Sequence, residues 1–160
     1  DVYKRQDIDR DTRWLLNRLH RPTPRVGIGL ELYGLASAVI DISDGLLADL
    51  GQIVRASGQA GAVIETTSLP LSPAGKSYPL EDRLTAALTG GDDYELCLTV
   101  PQSESDRMRM LSREAGVLLT DVGCITAHAG ITLTQSGVPV AGPRRDGYEH
   151  VWPIARERDS

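Results

Sequence analysis

Phenylalanine is absent from this chain, and aromatic residues make up only 4% of its 160 positions. The core must therefore be built from aliphatic side chains, which the 41% hydrophobic content supplies for one domain of ordinary composition. With only two cysteines, Cys97 and Cys124, a disulfide-stapled secreted domain is excluded. Each cysteine lies in an apolar, strand-like run without a metal-binding partner nearby, which predicts two reduced, buried thiols.

Long apolar runs and an excess of positive charge are missing as well. No stretch approaches the roughly 20 apolar residues of a membrane-spanning helix, and no charged-then-apolar leader of the secretory kind is visible. The net charge of −5 argues against a general surface for nucleic acid or anionic membranes. We therefore expect a cytoplasmic protein that binds neither nucleic acid nor membrane.

Two common catalytic patterns are not found in the sequence. The phosphate-binding pattern Gly-x-x-x-x-Gly-Lys-Ser/Thr is absent, which excludes a P-loop kinase. No Ser/His/Asp or Cys/His arrangement of the kind that activates a nucleophile can be argued. Nucleotide binding stays open despite the acidic balance, because bound Mg²⁺ would supply positive charge beside the phosphates.

The apolar periodicity predicts helices and short strands in mixed order. The predicted helices span residues 9–20, 26–35, 45–57, 80–88 and 103–115, and the predicted strands span 36–42, 62–66, 94–100, 120–126, 131–135 and 138–141. A Ser136-Gly137 pair between the last two strands is a hairpin signal. The combination favours an α+β fold, in which a mixed β-sheet is covered by helices, over a purely parallel sheet.

The most informative segment is the first acidic motif, Asp41-Ile42-Ser43-Asp44-Gly45-Leu46, where a strand is predicted to lead directly into a helix. A helix N-terminus favours the binding of phosphate. Carboxylates beside a bound phosphate would repel it, unless they bind a cation that the phosphate also binds. One interpretation is therefore a metal–phosphate site. The other is structural: Ser43 or Asp44 caps the helix, and Asp41 is an ordinary polar residue at a strand end.

The second acidic motif is Thr89-Gly90-Gly91-Asp92-Asp93-Tyr94-Glu95-Leu96, which precedes an apolar strand. It holds three carboxylates, those of Asp92, Asp93 and Glu95, within four residues. Such neighbours repel one another, so a bound cation or cationic substrate would offset a cost to stability. The alternative is a solvated Gly-Gly-Asp-Asp turn with Glu95 facing water.

Taken in order, these segments resemble the thiamine-monophosphate kinase family over about residues 17–152. The resemblance rests on the two acidic motifs and on five minor segments: Arg21-Pro22-Thr23-Pro24-Arg25, Asp49-Leu50-Gly51, Leu69-Pro70-Leu71, Gly123-Cys124-Ile125 and Gly147-Tyr148-Glu149-His150. It implies the C-terminal domain fold of the aminoimidazole ribonucleotide synthetase superfamily for residues 9–155. Residues 1–8 are expected to be a tail unlike the family, and residues 156–160 a polar tail.

The resemblance also implies an activity, its ligands and its partners. The complete enzyme is expected to transfer the γ-phosphoryl group of ATP to thiamine monophosphate, with Mg²⁺, as a homodimer. Asp41 and Asp44 would then bind Mg²⁺, Ser43 would bind ATP, and Glu95 and Tyr148 would bind thiamine monophosphate. Family members carry an N-terminal domain that this chain lacks, so the chain is expected to be a fragment that is inactive alone.

Two rival functions remain open at this point. The chain would be a non-catalytic module that binds ligand weakly or only dimerises, if the absent domain is essential. It would otherwise be another enzyme of the same superfamily. The string Gly-Gly-Asp-Asp-Tyr-Glu-Leu that contains Glu95 argues against the second rival, because it looks particular to the thiamine-monophosphate kinases.

Overall fold

The computed structural model describes residues 9–58 and 60–143, which form helices and strands in mixed order. The helices are α1 Arg10–His20, α2 Val26–Glu31, α3 Leu46–Ala56, α4 Leu80–Thr89 and α5 Ser105–Ala115, and the strands are β1 Ala38–Asp41, β2 Gly61–Glu65, β3 Leu96–Thr99, β4 Gly123–Thr126, β5 Gly130–Gln135 and β6 Val138–Val140. Every predicted helix and strand has a counterpart, although α2, β1, β3 and β4 are shorter than predicted. The predicted tails, 1–8 and 156–160, and the last part of the predicted domain lie outside the described residues.

The strands form two sheets rather than one. The larger sheet has the order β4-β2-β5-β6, in which β2 and β5 run parallel and the other neighbours run antiparallel. It is therefore the mixed sheet that the sequence predicts, and the α+β class is confirmed. β1 and β3 form a separate antiparallel pair, with Asp41 opposite Leu96 at its end.

The main core lies between α3 and the larger sheet. The apolar stripe of α3 is largely buried, as its spacing predicts, and packs with buried residues from β2, β5 and α4. The buried members of this core are Leu46, Leu50, Val54, Ala62, Ile64, Leu69, Leu88 and Leu133. Because β1 leads into α3 through the first acidic motif, this packing fixes the position of that motif against the sheet.

A smaller apolar cluster joins the end of α2 to α5 and β3. Its buried residues are Leu32, Leu35 and Met108. α1 differs from the other helices because none of its residues is buried. Its N-terminus is capped by the Asp9 carboxylate. None of the helices in the described ranges is long and apolar enough to cross a membrane.

The two cysteines have different surroundings. Cys97 on β3 is half-buried, and burial followed by the negative charge of Asp49 raises the pKa of its thiol to about 11. Cys124 is exposed on β4, which is an edge strand. The prediction of two buried thiols is therefore wrong for Cys124, because an apolar run does not reveal that its strand lies at a sheet edge.

Candidate active site

The structure brings the two acidic motifs side by side. The two strands are antiparallel, so β1 ends where β3 begins, and backbone hydrogen bonds continue the pairing beyond the strands into both motifs. The bonds run from the Ile42 N–H to the Glu95 carbonyl (2.8 Å), from the Tyr94 N–H to the Ile42 carbonyl (3.1 Å) and from the Asp92 N–H to the Ser43 carbonyl (3.0 Å). Two segments about 50 residues apart in the chain therefore form one surface.

Glycines allow this close approach. A Cβ atom at Gly91 would lie 2.4 Å from the carbonyl oxygen of Ser43. A Cβ atom at Gly45 would lie 2.8 Å from the backbone of Thr89, and Gly45 has a φ of 107°, which L side chains rarely adopt. Each motif thus contains a glycine where its backbone passes the other.

The second motif also contains unusual backbone angles. Asp92 and Tyr94 have φ values of 61° and 54°. Left-handed angles are uncommon outside glycine and unfavourable for a bulky residue such as tyrosine, and they are concentrated at functional sites. The turn therefore has a specific shape, which is not expected of an ordinary solvated loop.

The N-terminus of α3 carries no side-chain cap. Gly45 is its N-cap residue, and no side chain at the cap position bonds the first N–H groups of the helix. The part of the structural interpretation in which Ser43 or Asp44 caps α3 is therefore wrong. Both side chains are exposed, as is that of Asp41. An uncapped N-terminus beside a hydroxyl and two carboxylates can accept phosphate oxygens and a cation.

Asp49 holds the first motif in shape, and sequence reasoning assigned it no role. Its side chain is fully buried, and its Oδ2 accepts hydrogen bonds from the backbone N–H groups of Ser43 (2.9 Å) and Asp44 (3.0 Å). The signal was present in the pattern, since Asp49 is three residues after Leu46 and four before Ile53, on the apolar stripe. A carboxylate on a buried face must find hydrogen-bond donors.

The donor set at the first motif fits a magnesium ion in part. Within the described ranges, no group of three or more His, Cys, Asp or Glu side chains is placed to hold a metal. Mg²⁺ is commonly bound by one or two carboxylates together with phosphate oxygens and water. The exposed carboxylates of Asp41 and Asp44 meet that smaller requirement, and the remaining ligands would come from a nucleotide, from water or from another part of the protein.

Glu95 lies in an ion-pair network with two arginines. Arg25 donates to both carboxylate oxygens, from Nε to Oε2 (2.8 Å) and from Nη2 to Oε1 (2.7 Å), and Arg18 donates from Nη2 to Oε1 (2.7 Å). The Glu95 hydrogen bond and charge raise the pKa of Arg25, although burial opposes them. Sequence reasoning did not predict this network, because it joins residues that are 70 and 77 positions apart.

Negative charge accumulates beside this network. The pKa of Asp93 is raised, first by partial burial of its carboxyl and then by the charges of Glu95 and Asp92, while Arg18 opposes the shift. The two motifs therefore present acidic groups on one surface, on which Glu95 is paired with the two arginines. Tyr148, the remaining predicted site residue, lies outside the described residues.

Comparisons with known proteins identify relatives over most of the chain. No family model matches it. The thiamine-monophosphate kinase of Salmonella typhimurium is 41% identical over 142 residues, which are 88% of this chain and 43% of the relative. The corresponding enzyme of Haemophilus influenzae is 37% identical over 147 residues. The chain thus spans less than half the length of these curated relatives.

Solved structures give the same result. The crystal structure of thiamine-monophosphate kinase from Stenotrophomonas maltophilia matches 81% of this chain and 40% of its own, with a TM-score of 0.74 and 40% identity. The complex of AaThiL with AMPPCP and TMP matches 91% of this chain and 44% of its own, with a TM-score of 0.71 and 28% identity. T. maritima PurL, at 19% identity and a TM-score of 0.54, shares the fold alone. The predicted superfamily fold is confirmed.

Proposed function

The chain belongs to the thiamine-monophosphate kinase family over the part of those relatives that it covers, and we propose that it forms the C-terminal domain of such an enzyme. The complete enzyme transfers the γ-phosphoryl group of ATP to thiamine monophosphate, giving thiamine diphosphate and ADP. The domain spans residues 9–155 and acts with an N-terminal domain. The observation that carries this proposal is the adjacency of the two acidic motifs at the uncapped N-terminus of α3.

The nucleotide end of the site is formed by the first motif. Phosphoryl transfer depends mainly on alignment of the two phosphates and neutralisation of their charge. Ser43 and the first N–H groups of α3 bind phosphate oxygens of ATP, and Asp41 and Asp44 are the residues that would hold Mg²⁺. The ion would supply the positive charge that lets two anionic groups approach. The acceptor phosphate is a nucleophile near neutral pH, so no strong general base is required.

The acceptor end is formed by the second motif. Thiamine monophosphate carries a cationic thiazolium ring, which a carboxylate attracts. Glu95 is assigned to this end because it is acidic and lies beside a glycine-rich turn that a ligand can approach closely. Tyr148 would stack on the same cation, an arrangement that favours aromatic faces. The similar structure of AaThiL is a complex with AMPPCP and TMP, which supports the pairing of a nucleotide with this acceptor.

The expected setting of the complete enzyme follows from its substrates. ATP is available in the cytoplasm, and we assign the enzyme there. We also expect a homodimer, as the family resemblance implies. Neither nucleic acid nor membrane is a partner in this proposal.

The test uses a complete kinase, made by joining this chain to the part of the Stenotrophomonas maltophilia kinase that it does not cover. The unsubstituted protein should form thiamine diphosphate from ATP and thiamine monophosphate. Asp41→Asn and Asp44→Asn should each lower turnover at least a hundredfold, because they remove the ligands that hold the neutralising charge. Melting temperatures should change little, since both side chains are exposed.

The matched control is Asp106→Asn on α5, where an exposed carboxylate pairs with Arg109 at the surface. It removes the same charge away from the site and should leave turnover unchanged. Loss of thiamine diphosphate formation in the control, or normal turnover in both motif variants, would contradict the assignment of Asp41 and Asp44.

A further inference from the structure

The Glu95 carboxylate has four acceptor positions, two on each oxygen. The arginine network fills three of them, because Oε1 accepts from Arg18 and Arg25 and Oε2 accepts from Arg25. Among the contacts of the described residues, one position on Oε2 remains open. A carboxylate held in this way cannot rotate freely and presents a single oxygen to a ligand.

Both arginine side chains are largely shielded from solvent, and Arg25 lies in a stiff segment of the backbone. Arg25 follows Pro22 and Pro24, whose fixed φ angles stiffen the segment that leads into α2. The Arg18 and Arg25 side chains are 25% and 24% exposed, and that of Glu95 is 38% exposed. In the surface pair of Arg109 with Asp106 the values are 65% and 90%. The two-pronged contact of Arg25 adds orientation that a point charge would not supply.

We propose that Arg25, supported by Arg18, is a positioning residue that fixes the Glu95 carboxylate for thiamine monophosphate. Arg25 acts through Glu95 and does not touch the substrate. This inference rests on the proposed function, since it assumes that Glu95 binds the acceptor. A purely structural tie between α1, the start of α2 and β3 is the competing explanation.

The experiment measures KM for both substrates, kcat and melting temperature in the complete kinase. Arg25→Gln should raise KM for thiamine monophosphate roughly tenfold, which is the lower end of the loss seen when the hydrogen-bond partner of a metal-binding residue is removed. KM for ATP and kcat should stay within about twofold. Arg25→Lys should give a KM for thiamine monophosphate between those of the unsubstituted kinase and Arg25→Gln, because lysine restores the charge but cannot donate to both carboxylate oxygens in the same geometry.

A double-mutant cycle separates action through Glu95 from any other role. In a Glu95→Gln background, Arg25→Gln should add little further change in KM, because the group that it orients has lost its charge. Arg18→Gln removes one of the three bonds and should give a smaller rise than Arg25→Gln. The matched control is Arg109→Gln, which breaks an arginine–carboxylate pair on α5 and should leave both KM values unchanged.

Two results would overturn the inference while leaving the proposed function intact. One is an unchanged KM for thiamine monophosphate in Arg25→Gln. The other is an equal loss of ATP affinity, kcat and melting temperature, which is the mark of a structural tie. If the unsubstituted complete kinase forms no thiamine diphosphate, the proposed function itself fails and the inference fails with it.

Discussion

The carboxylate of Asp49 bonds two backbone N–H groups of the first acidic motif from a fully buried position. Asp49→Ala should lower the free energy of unfolding by about 2–4 kcal/mol, because it leaves both N–H groups without a partner. Urea denaturation of the chain measures the change. Asp106→Ala is the control, since its exposed pair should contribute no more than about 1 kcal/mol. Equal effects of the two substitutions would show that the Asp49 bonds contribute little.

A second prediction at this scale concerns the contact between the motifs. Gly91→Ala would place a Cβ atom 2.4 Å from the Ser43 carbonyl oxygen, so the two segments must separate. We expect it to destabilise the protein by about 1–3 kcal/mol, the usual cost of overpacking, and to abolish turnover in the complete kinase. Gly27→Ala in α2 is the matched control, because nothing lies within 4 Å of its Cβ position. It should stabilise the helix by up to about 1 kcal/mol, and similar melting curves for both variants would contradict this reading.

Local sequence patterns predicted part of the candidate site but not the residues that hold it in place. The strand-to-helix position of Asp41, Ser43 and Asp44 follows from local periodicity, and the structure agrees with it. Asp49 was recognisable as a charge on an apolar stripe, but its bond donors, two residues of the preceding loop, depend on how that loop folds back. The pairing of Glu95 with Arg18 and Arg25 is a long-range contact that no local pattern specifies.

At the scale of elements, Glu65 joins the end of β2 to the turn between β5 and β6. Its carboxylate accepts hydrogen bonds from the Thr67 hydroxyl and N–H, the Ser136 N–H (2.8 Å), the Gly137 N–H (2.9 Å) and the Thr134 hydroxyl (3.0 Å). The bonds from the Thr67 hydroxyl, the Gly137 N–H, the Ser136 N–H and the Thr67 N–H, led by that of the Thr67 hydroxyl, lower its pKa from 4.5 to about 2. The ionised form is therefore the one that stabilises the hairpin.

This linkage predicts a pH dependence. The pKa of Glu65 is lower in the folded chain than in the unfolded chain, so its contribution is complete above about pH 4.5 and disappears as the pH falls towards 2. Glu65→Gln should lower the denaturation midpoint at pH 6 and make less difference at pH 3. Glu114→Gln on α5 serves as the control. A gap between the parent and Glu65→Gln that stays constant from pH 6 to pH 3 would refute the linkage.

The order of elements was predictable because each has a local signature. The stripe of α3 and the Ser136-Gly137 turn, whose residues have φ values of 52° and 78°, follow established patterns. The division into two sheets was not predictable, since alternation shows which face of a strand is buried and not which strand lies beside it. The same limit explains the exposed Cys124 on an edge strand.

At the scale of the whole molecule, the chain covers 43% of a relative such as the Salmonella typhimurium enzyme. Its described residues provide only two exposed carboxylates at the first motif and no three-ligand metal group. We therefore predict that the chain alone, given ATP, Mg²⁺ and thiamine monophosphate, forms no measurable thiamine diphosphate. The complete kinase is the positive control. Typical kinases turn over about 1–100 times per second, and a rate in that range for the chain alone would contradict the prediction.

The backbone bonds between the two acidic motifs also restrict how this sequence can change over evolutionary time. A residue inserted between Asp41 and Gly45, or between Gly91 and Glu95, would shift the bonded partners and turn side chains to the opposite face. Insertions and deletions should therefore be excluded from both motifs, even where individual residues are replaced. Residues 76–79, which are exposed and form neither helix nor strand, are where changes in length should accumulate.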